Sequence, residues 1–90
     1  MYIYKEQKNA VFVLCKNGRE YERTTLQNVY ERLDNPDMFF LDRGYILNMK
    51  YVRKIGADRV EMDDGYEVLT NKERVSTLKE HIITYMEKGI

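Results

Sequence analysis

The sequence predicts a mostly β, antiparallel fold with one short helix and one C-terminal helix. Short runs of branched and aromatic residues recur along the chain, and dipeptides that favour tight turns separate them. Apolar residues at helical spacing are confined to two segments. Of the 90 residues, 43% are hydrophobic, which is enough for one small core, so we expect a single domain over residues 1–90.

The first part of the chain is predicted to contain a β-hairpin. Tyr2–Tyr4 favours β structure, and Ala10–Cys15 is an apolar run rich in branched and aromatic side chains. Asn17 and Gly18 tolerate the positive φ angles of a tight turn, and Arg19–Arg23 alternates in polarity on the return. We therefore expect the segments on either side of this turn to pair.

A short helix is predicted next, over Leu26–Leu33. Its apolar residues at positions i, i+3, i+4 and i+7 are Leu26, Val29, Tyr30 and Leu33. Thr24 or Thr25 can cap it, and Gln27 follows Thr24 at capping-box spacing. The segment Asp34–Asp37 contains the only proline and is predicted to end the helix.

The second half is predicted to be mostly strand up to a C-terminal helix. The candidate strands are Met38–Leu41, Tyr45–Leu47, Val52–Ala57, Arg59–Met62 and Tyr66–Leu69. Asp64 and Gly65 form a second candidate hairpin turn. Thr70 and Glu73 have capping-box spacing at the start of the last helix, and Gly89 suits its end. The apolar stripe of this helix is Val75, Leu78, Ile82 and Met86, supported by Ile83.

Charge and composition exclude several classes of function. The formal net charge of zero excludes a uniformly basic binder, but Arg43–Ala57 contains basic residues and no acid, so a basic face can be local. The single cysteine, Cys15, and the single histidine, His81, allow neither an internal disulfide nor a usual zinc site. We expect no enzyme, no cofactor and no bound metal. The apolar runs are far shorter than the roughly 18 residues that cross a bilayer, so we expect a cytoplasmic chain without a membrane partner.

Basic residues stand at three predicted element boundaries. Lys8 lies in the first connection, Arg43 directly follows a strand, and Lys72 begins the last helix. Such positions can project side chains into a groove, where Arg and Lys donate to guanine O6 and N7. Ordinary solvated surface charges explain the same pattern, and spacing alone favours that interpretation.

The segment Phe39–Val52 resembles the LytTR family, the DNA-binding domains of bacterial response regulators that control virulence, bacteriocin and cell-envelope genes. The family pattern is a phenylalanine, a short spacer, His-Arg-Ser-Tyr, two aliphatic residues, Asn, and a segment like Leu-Lys-Tyr-Ile. The matching residues are Phe39, Arg43, Tyr45, Ile46, Leu47, Asn48, Lys50, Tyr51 and Val52. The hairpins and both helices also match in order and spacing, so the resemblance covers nearly the whole chain.

The resemblance implies an elongated β fold that binds double-stranded DNA in a transcriptional regulator. In the family, loops at one edge enter two successive major grooves, and the positions of Arg43 and Lys72 are principal contacts. A connection near Lys8 resembles the third contact loop. We further expect three other basic residues to meet phosphates, namely Lys50, Arg53 and Lys54. Family domains act in pairs on direct repeats, so the resemblance also implies a homodimer on DNA.

Family members are usually driven together by a phosphorylated receiver domain. We expect this chain either to be excised from a regulator that carries such a domain or to work without one. The sequence departs from the family pattern at Asp42, where the family has histidine, and at Gly44, where it has serine. Thr70-Asn71-Lys72 stands for the family Val-Ser-Arg. Both principal contact positions remain basic.

These departures leave two questions open. Asp42 and Glu73 stand beside the two contact residues and partly cancel the positive potential that would attract phosphates. The alternative function is therefore a protein-interaction module that has lost DNA binding. Asp42 itself either faces the phosphates and repels them or has a scaffold role, in which it accepts hydrogen bonds from backbone amides of the Arg43-Gly44 turn or pairs with Arg43. We favour the second role because aspartate suits tight turns. We expect Asn48 to stabilise the turn after the motif.

Overall fold

The computed structural model describes residues 1–15 and 18–88, with the side chains of residues 14, 15 and 88 outside that description. Its elements are β1 (Tyr2–Glu6), β2 (Asn9–Cys15), β3 (Gly18–Glu22), α1 (Leu26–Leu33), β4 (Met38–Asp42), β5 (Tyr45–Asn48), a 3₁₀ turn (Met49–Tyr51), β6 (Val52–Ile55), β7 (Arg59–Met62), β8 (Glu67–Leu69) and α2 (Lys72–Lys88). The predicted mostly β fold with two helices is therefore confirmed. The expectations placed on Asn17 and Gly89 lie outside the described residues.

The strands form two antiparallel sheets. The first has five strands in the order β3-β2-β1-β5-β4, and the second has three in the order β6-β7-β8. The β7–β8 turn contains Gly65 at φ +88°, a conformation that glycine adopts without the steric cost of a side chain, as the predicted Asp64-Gly65 turn requires. The candidate strand ending at Ala57 is shorter than predicted, because Gly56 N donates to Arg59 O (2.8 Å) and turns the chain back.

The five-stranded sheet packs against other elements on both faces, although its edge strand β3 is largely exposed. Ile3 and Ile46 point to one face and pack with α1, which contributes Leu26 and Val29. Alternate residues point to the other face and pack with the second sheet and α2. The buried residues of this larger core include Tyr2, Leu41, Leu47, Val60, Met62, Val68, Val75 and Leu78. The molecule is thus layered, with α1 on one side of the large sheet and the small sheet with α2 on the other.

Both helices begin with a cap one residue later than the capping-box prediction. Thr25, and not Thr24, accepts a hydrogen bond from Asn28 N (3.2 Å) at the start of α1. At α2, Asn71 Oδ1 accepts from Arg74 N (2.9 Å), whereas the Thr70 hydroxyl is buried without a hydrogen-bond partner among the described residues. Thr70 is drawn inward because its N–H donates to Asp58 O (2.8 Å), which continues the strand pairing past β8.

The apolar stripe of α2 is buried only along its first half. Val75 and Leu78 are 2% and 0% exposed, and Ile82 packs at the edge of the core. Met86 and Ile83 are 63% and 60% exposed, so these two residues of the apolar stripe lie outside the core. Met86 faces the same side of the helix as Val75 but borders open grooves beside Met49 and strand β6.

Candidate nucleic-acid interface

The strand register brings two of the three basic connections to one end of the large sheet. Tyr4 of β1 pairs with Tyr45 of β5, and Lys5 N donates to Gly44 O (2.9 Å). The turn that holds Lys8, between β1 and β2, therefore lies beside the turn that holds Arg43, between β4 and β5. In the sequence these two residues stand far apart, and only the pairing of β1 with β5 makes them neighbours in the fold.

The start of α2 reaches the same end of the sheet. Nη1 of Arg74, in the first turn of α2, donates to the backbone carbonyl of Leu41 at 2.7 Å. Lys72 precedes Arg74 by two residues, and Arg43 follows Leu41 by two. We call Lys8, Arg43 and Lys72 the basic end. All three side chains are exposed, so they are available to a large polyanion.

Two further arginines lie at this end, and the sequence analysis did not single them out. Arg23 directly follows β3, whose last residue Glu22 pairs with Ala10 next to the Lys8 turn. Arg74 joins α2 to β4. The hairpin predicted from the sequence indicates where Arg23 lies, because the second strand of a hairpin ends beside the start of the first strand. No local signal pointed to the contact of Arg74 across 33 residues.

The Arg43 turn is held by Asp42. Its Oδ1 accepts a hydrogen bond from Gly44 N at 2.7 Å, which is the bond expected of the scaffold role. A Cβ built on Gly44 comes within 3.3 Å of the same oxygen, so glycine leaves room for this close contact. The aspartate and the glycine that depart from the family pattern therefore act together in one turn. The carboxylate of Asp42 thus accepts a hydrogen bond from the backbone of its own turn.

We expect Asp42→Ala to lower the free energy of unfolding by about 1–2 kcal/mol, because it removes a short charge-assisted hydrogen bond and leaves Gly44 N without its acceptor. Asp42→Asn keeps an acceptor at the same position and should retain most of the stability. Chemical denaturation of the three proteins measures both values. Equal stability of Asp42→Ala and the parent would contradict the scaffold role, as would unchanged stability of Asp42→Asn together with tighter DNA binding.

A tyrosine cluster links the strand after Arg43 to the second sheet. The hydroxyls of Tyr45 and Tyr66 are hydrogen-bonded at 2.9 Å, and the ring of Tyr66 stacks on Tyr2 with centroids 4.9 Å apart. Tyr2 donates in turn to Asp64 Oδ2 (3.0 Å). Burial and this hydrogen bond raise the pKa of Tyr2 to about 12. Burial and the bond to Tyr66 likewise raise the pKa of Tyr45, so both hydroxyls stay protonated at neutral pH.

The remaining predicted site residues lie elsewhere. Strand β5 runs away from the basic end, and Lys50 follows at its far end, where the buried Asn48 caps the 3₁₀ turn by accepting from Lys50 N (3.0 Å). The expected role of Asn48 is thereby confirmed. Arg53 and Lys54 are exposed on β6, an edge strand of the small sheet. None of these three basic residues shares a described hydrogen bond with the basic end.

Other kinds of site find little support in the described ranges. Across residues 1–15 and 18–88, no three His, Cys, Asp or Glu side chains gather as a metal site would require. None of the helices described there has the length and apolar character needed to cross a membrane. His81 packs its ring against Phe39 with centroids 4.8 Å apart, and its Nδ1 lies 3.0 Å from Thr77 O, so its contacts are structural.

Comparison with known proteins identifies the family and supports the fold. A family model described as LytTr DNA-binding domain matches residues 1–83. A solved structure described as the LytTr DNA-binding domain of a methyl-accepting/DNA response regulator from Bacillus cereus has the same fold, with a TM-score of 0.75 and 20% sequence identity. The match covers 91% of this chain and 79% of that one. No curated protein matches the sequence.

Proposed function

Because this chain belongs to the LytTR family of DNA-binding domains, which is not a family of enzymes, we propose that it binds duplex DNA through its basic end. The observation that carries the proposal is the convergence of Lys8, Arg43 and Lys72 from three separate connections onto one end of the fold. Side chains on loops held by a rigid sheet can enter a groove together. The proposed role is transcriptional regulation in the cytoplasm of a bacterium.

We assign base recognition to Arg43 and Lys72. Arg43 sits in a turn fixed by the Asp42–Gly44 hydrogen bond, and Lys72 begins a capped helix, so both backbones are held before DNA arrives. Lys8 supplies a third contact from the neighbouring turn. Arginine and lysine side chains donate to the guanine edge in the major groove, and each good contact discriminates against the wrong base.

Phosphate contacts position the domain without conveying sequence. Arg23 suits this role because it is next to the Lys8 turn. We also propose phosphate contacts away from the basic end, where the DNA backbone passes the small sheet. The residues proposed for them are Lys50, Arg53 and Lys54. We propose that two copies occupy repeated half-sites and that a receiver domain in the intact regulator brings them together.

Selection of bound duplexes from a random pool tests the proposed function. We expect enrichment of a repeated half-site, and the affinity for the selected duplex should fall steeply as salt rises, because bound phosphates release counterions. A chain that binds no duplex even at low salt would instead be a protein-interaction module on the same scaffold. That module is the alternative because the formal net charge is zero and Glu73 is exposed beside Lys72.

A further inference from the structure

We propose that Arg74 is a positioning residue that sets the separation between Arg43 and Lys72, and thereby the fit of both to successive bases. This inference rests on the proposed function and extends it to a residue outside the predicted site. Its basis is a hydrogen bond between the two elements that present those side chains, from Arg74 Nη1 to Leu41 O at 2.7 Å.

The acceptor of this bridge lies in a bulge of β4. Phe40 pairs with Ile46 and Asp42 pairs with Tyr45, so two steps along β4 correspond to one step along β5 and Leu41 is the extra residue. An extra residue in a bulge leaves the ladder, and its backbone groups need other partners. The Leu41 side chain is 2% exposed. The guanidinium of Arg74 therefore donates to the carbonyl of the residue that leaves the pairing register, on an edge strand of the large sheet.

Arg74, which donates this hydrogen bond, is also fixed at the start of α2. The backbone N–H of Arg74 donates to the capping Asn71 Oδ1 at 2.9 Å, which places this residue in the first turn of α2. Among the residues that the structure describes, Arg74 forms no ion pair, so its charge is directed to the strand and not to a carboxylate. The bridge thus joins the capped start of a helix to the strand end that carries the Asp42 turn.

Position matters here because hydrogen bonds to base edges weaken steeply with small errors in distance and angle. Farther along, α2 is attached to β4 by the packing of His81 on Phe39, which lies toward the other end of the strand. Without Arg74, the first turn of α2 keeps its cap but loses its polar contact with β4. Lys72 can then shift relative to Arg43, and the two side chains no longer meet their bases together.

The experiment compares Arg74→Met with Lys79→Met, which removes the same charge from an exposed position two turns along α2. Affinity is measured for the selected duplex and for an unrelated duplex over a range of salt. We expect Arg74→Met to weaken selected-duplex binding about tenfold, to change unrelated-duplex binding much less, and to leave the salt slope near that of the parent. Lys79→Met should leave the ratio of the two affinities unchanged.

Other outcomes overturn the inference. If Arg74 contacted a phosphate, its replacement would weaken binding of both duplexes alike and would reduce the slope of log affinity against log salt concentration by about one. A merely structural role would lower the melting temperature while the ratio of affinities stays that of the parent. Arg74→Gln is measured in parallel, so that loss of folding in one variant still leaves a result. If the parent chain binds no duplex, the proposed function fails and this inference with it; if the parent binds and both variants keep its ratio, the inference fails alone.

Discussion

Arg43→Ala and Lys72→Ala are each expected to weaken binding of the selected duplex by about 1–3 kcal/mol, the range of a good contact to a base edge. Both side chains are exposed, and the structure gives neither one a described hydrogen bond or ion pair that stabilises the fold. Their removal should therefore leave the free energy of unfolding nearly unchanged. Fluorescence anisotropy with labelled duplex measures the affinity, and chemical denaturation measures the stability.

The sequence dependence of the lost affinity distinguishes contacts to bases from electrostatic attraction to phosphates. Each variant should relax the preference at its own base position, whereas loss of a phosphate contact such as that proposed for Arg53 should weaken all sequences alike. Lys79→Ala serves as the charge control on the exposed side of α2. Parent-like affinity of both Arg43→Ala and Lys72→Ala would show that the family contact positions do not carry over to this chain.

Leu78→Ala is expected to destabilise the domain by about 2–5 kcal/mol, the largest effect on stability that we predict. Leu78 is 0% exposed and belongs to the core formed by the large sheet, the small sheet and α2. Truncation leaves a cavity where three layers meet. A small domain has a total stability of only about 5–15 kcal/mol, so the melting transition should move far down in temperature.

Leu69→Ala is the matched control because Leu69 is 63% exposed at the end of β8. Truncation of this exposed side chain creates no cavity, and we expect the free energy of unfolding to change by no more than about 0.5 kcal/mol. Leu78→Ala should also weaken DNA binding, since α2 carries Lys72. Similar stabilities of the two variants would mean that α2 is not held by the core contact described for Leu78.

Many elements of the fold could be predicted from local sequence. The β2 and β7 strands, the Asp64-Gly65 turn and helix α1 each depend on neighbouring residues whose side-chain periodicity or turn preference is visible in the chain. The hydrogen bond of Asp42 to its own turn is local in the same sense. Such features were predictable because the groups that interact are only a few residues apart.

The caps and the apolar stripe show where local rules fail. Thr70 and Glu73 have the spacing of a capping box, but the backbone of Thr70 pairs with Asp58. Asn71 therefore caps the helix in place of Thr70. Met86 has the spacing of a core residue, but it borders open grooves and is 63% exposed. In both cases the tertiary structure decided between two options that the local pattern left open.

From the sequence alone came the fold class, the family resemblance and the choice of Lys8, Arg43 and Lys72 as candidate contacts. The order of the strands, the division into two sheets and the bridge from Arg74 to Leu41 were decided by tertiary structure. The physical reason is that periodicity reports which face of an element is buried, whereas the pairing of β1 with β5 depends on which buried faces fit together. That pairing brings the Lys8 and Arg43 turns together, and the hydrogen bond from Arg74 to Leu41 brings the start of α2, with Lys72, to the same end.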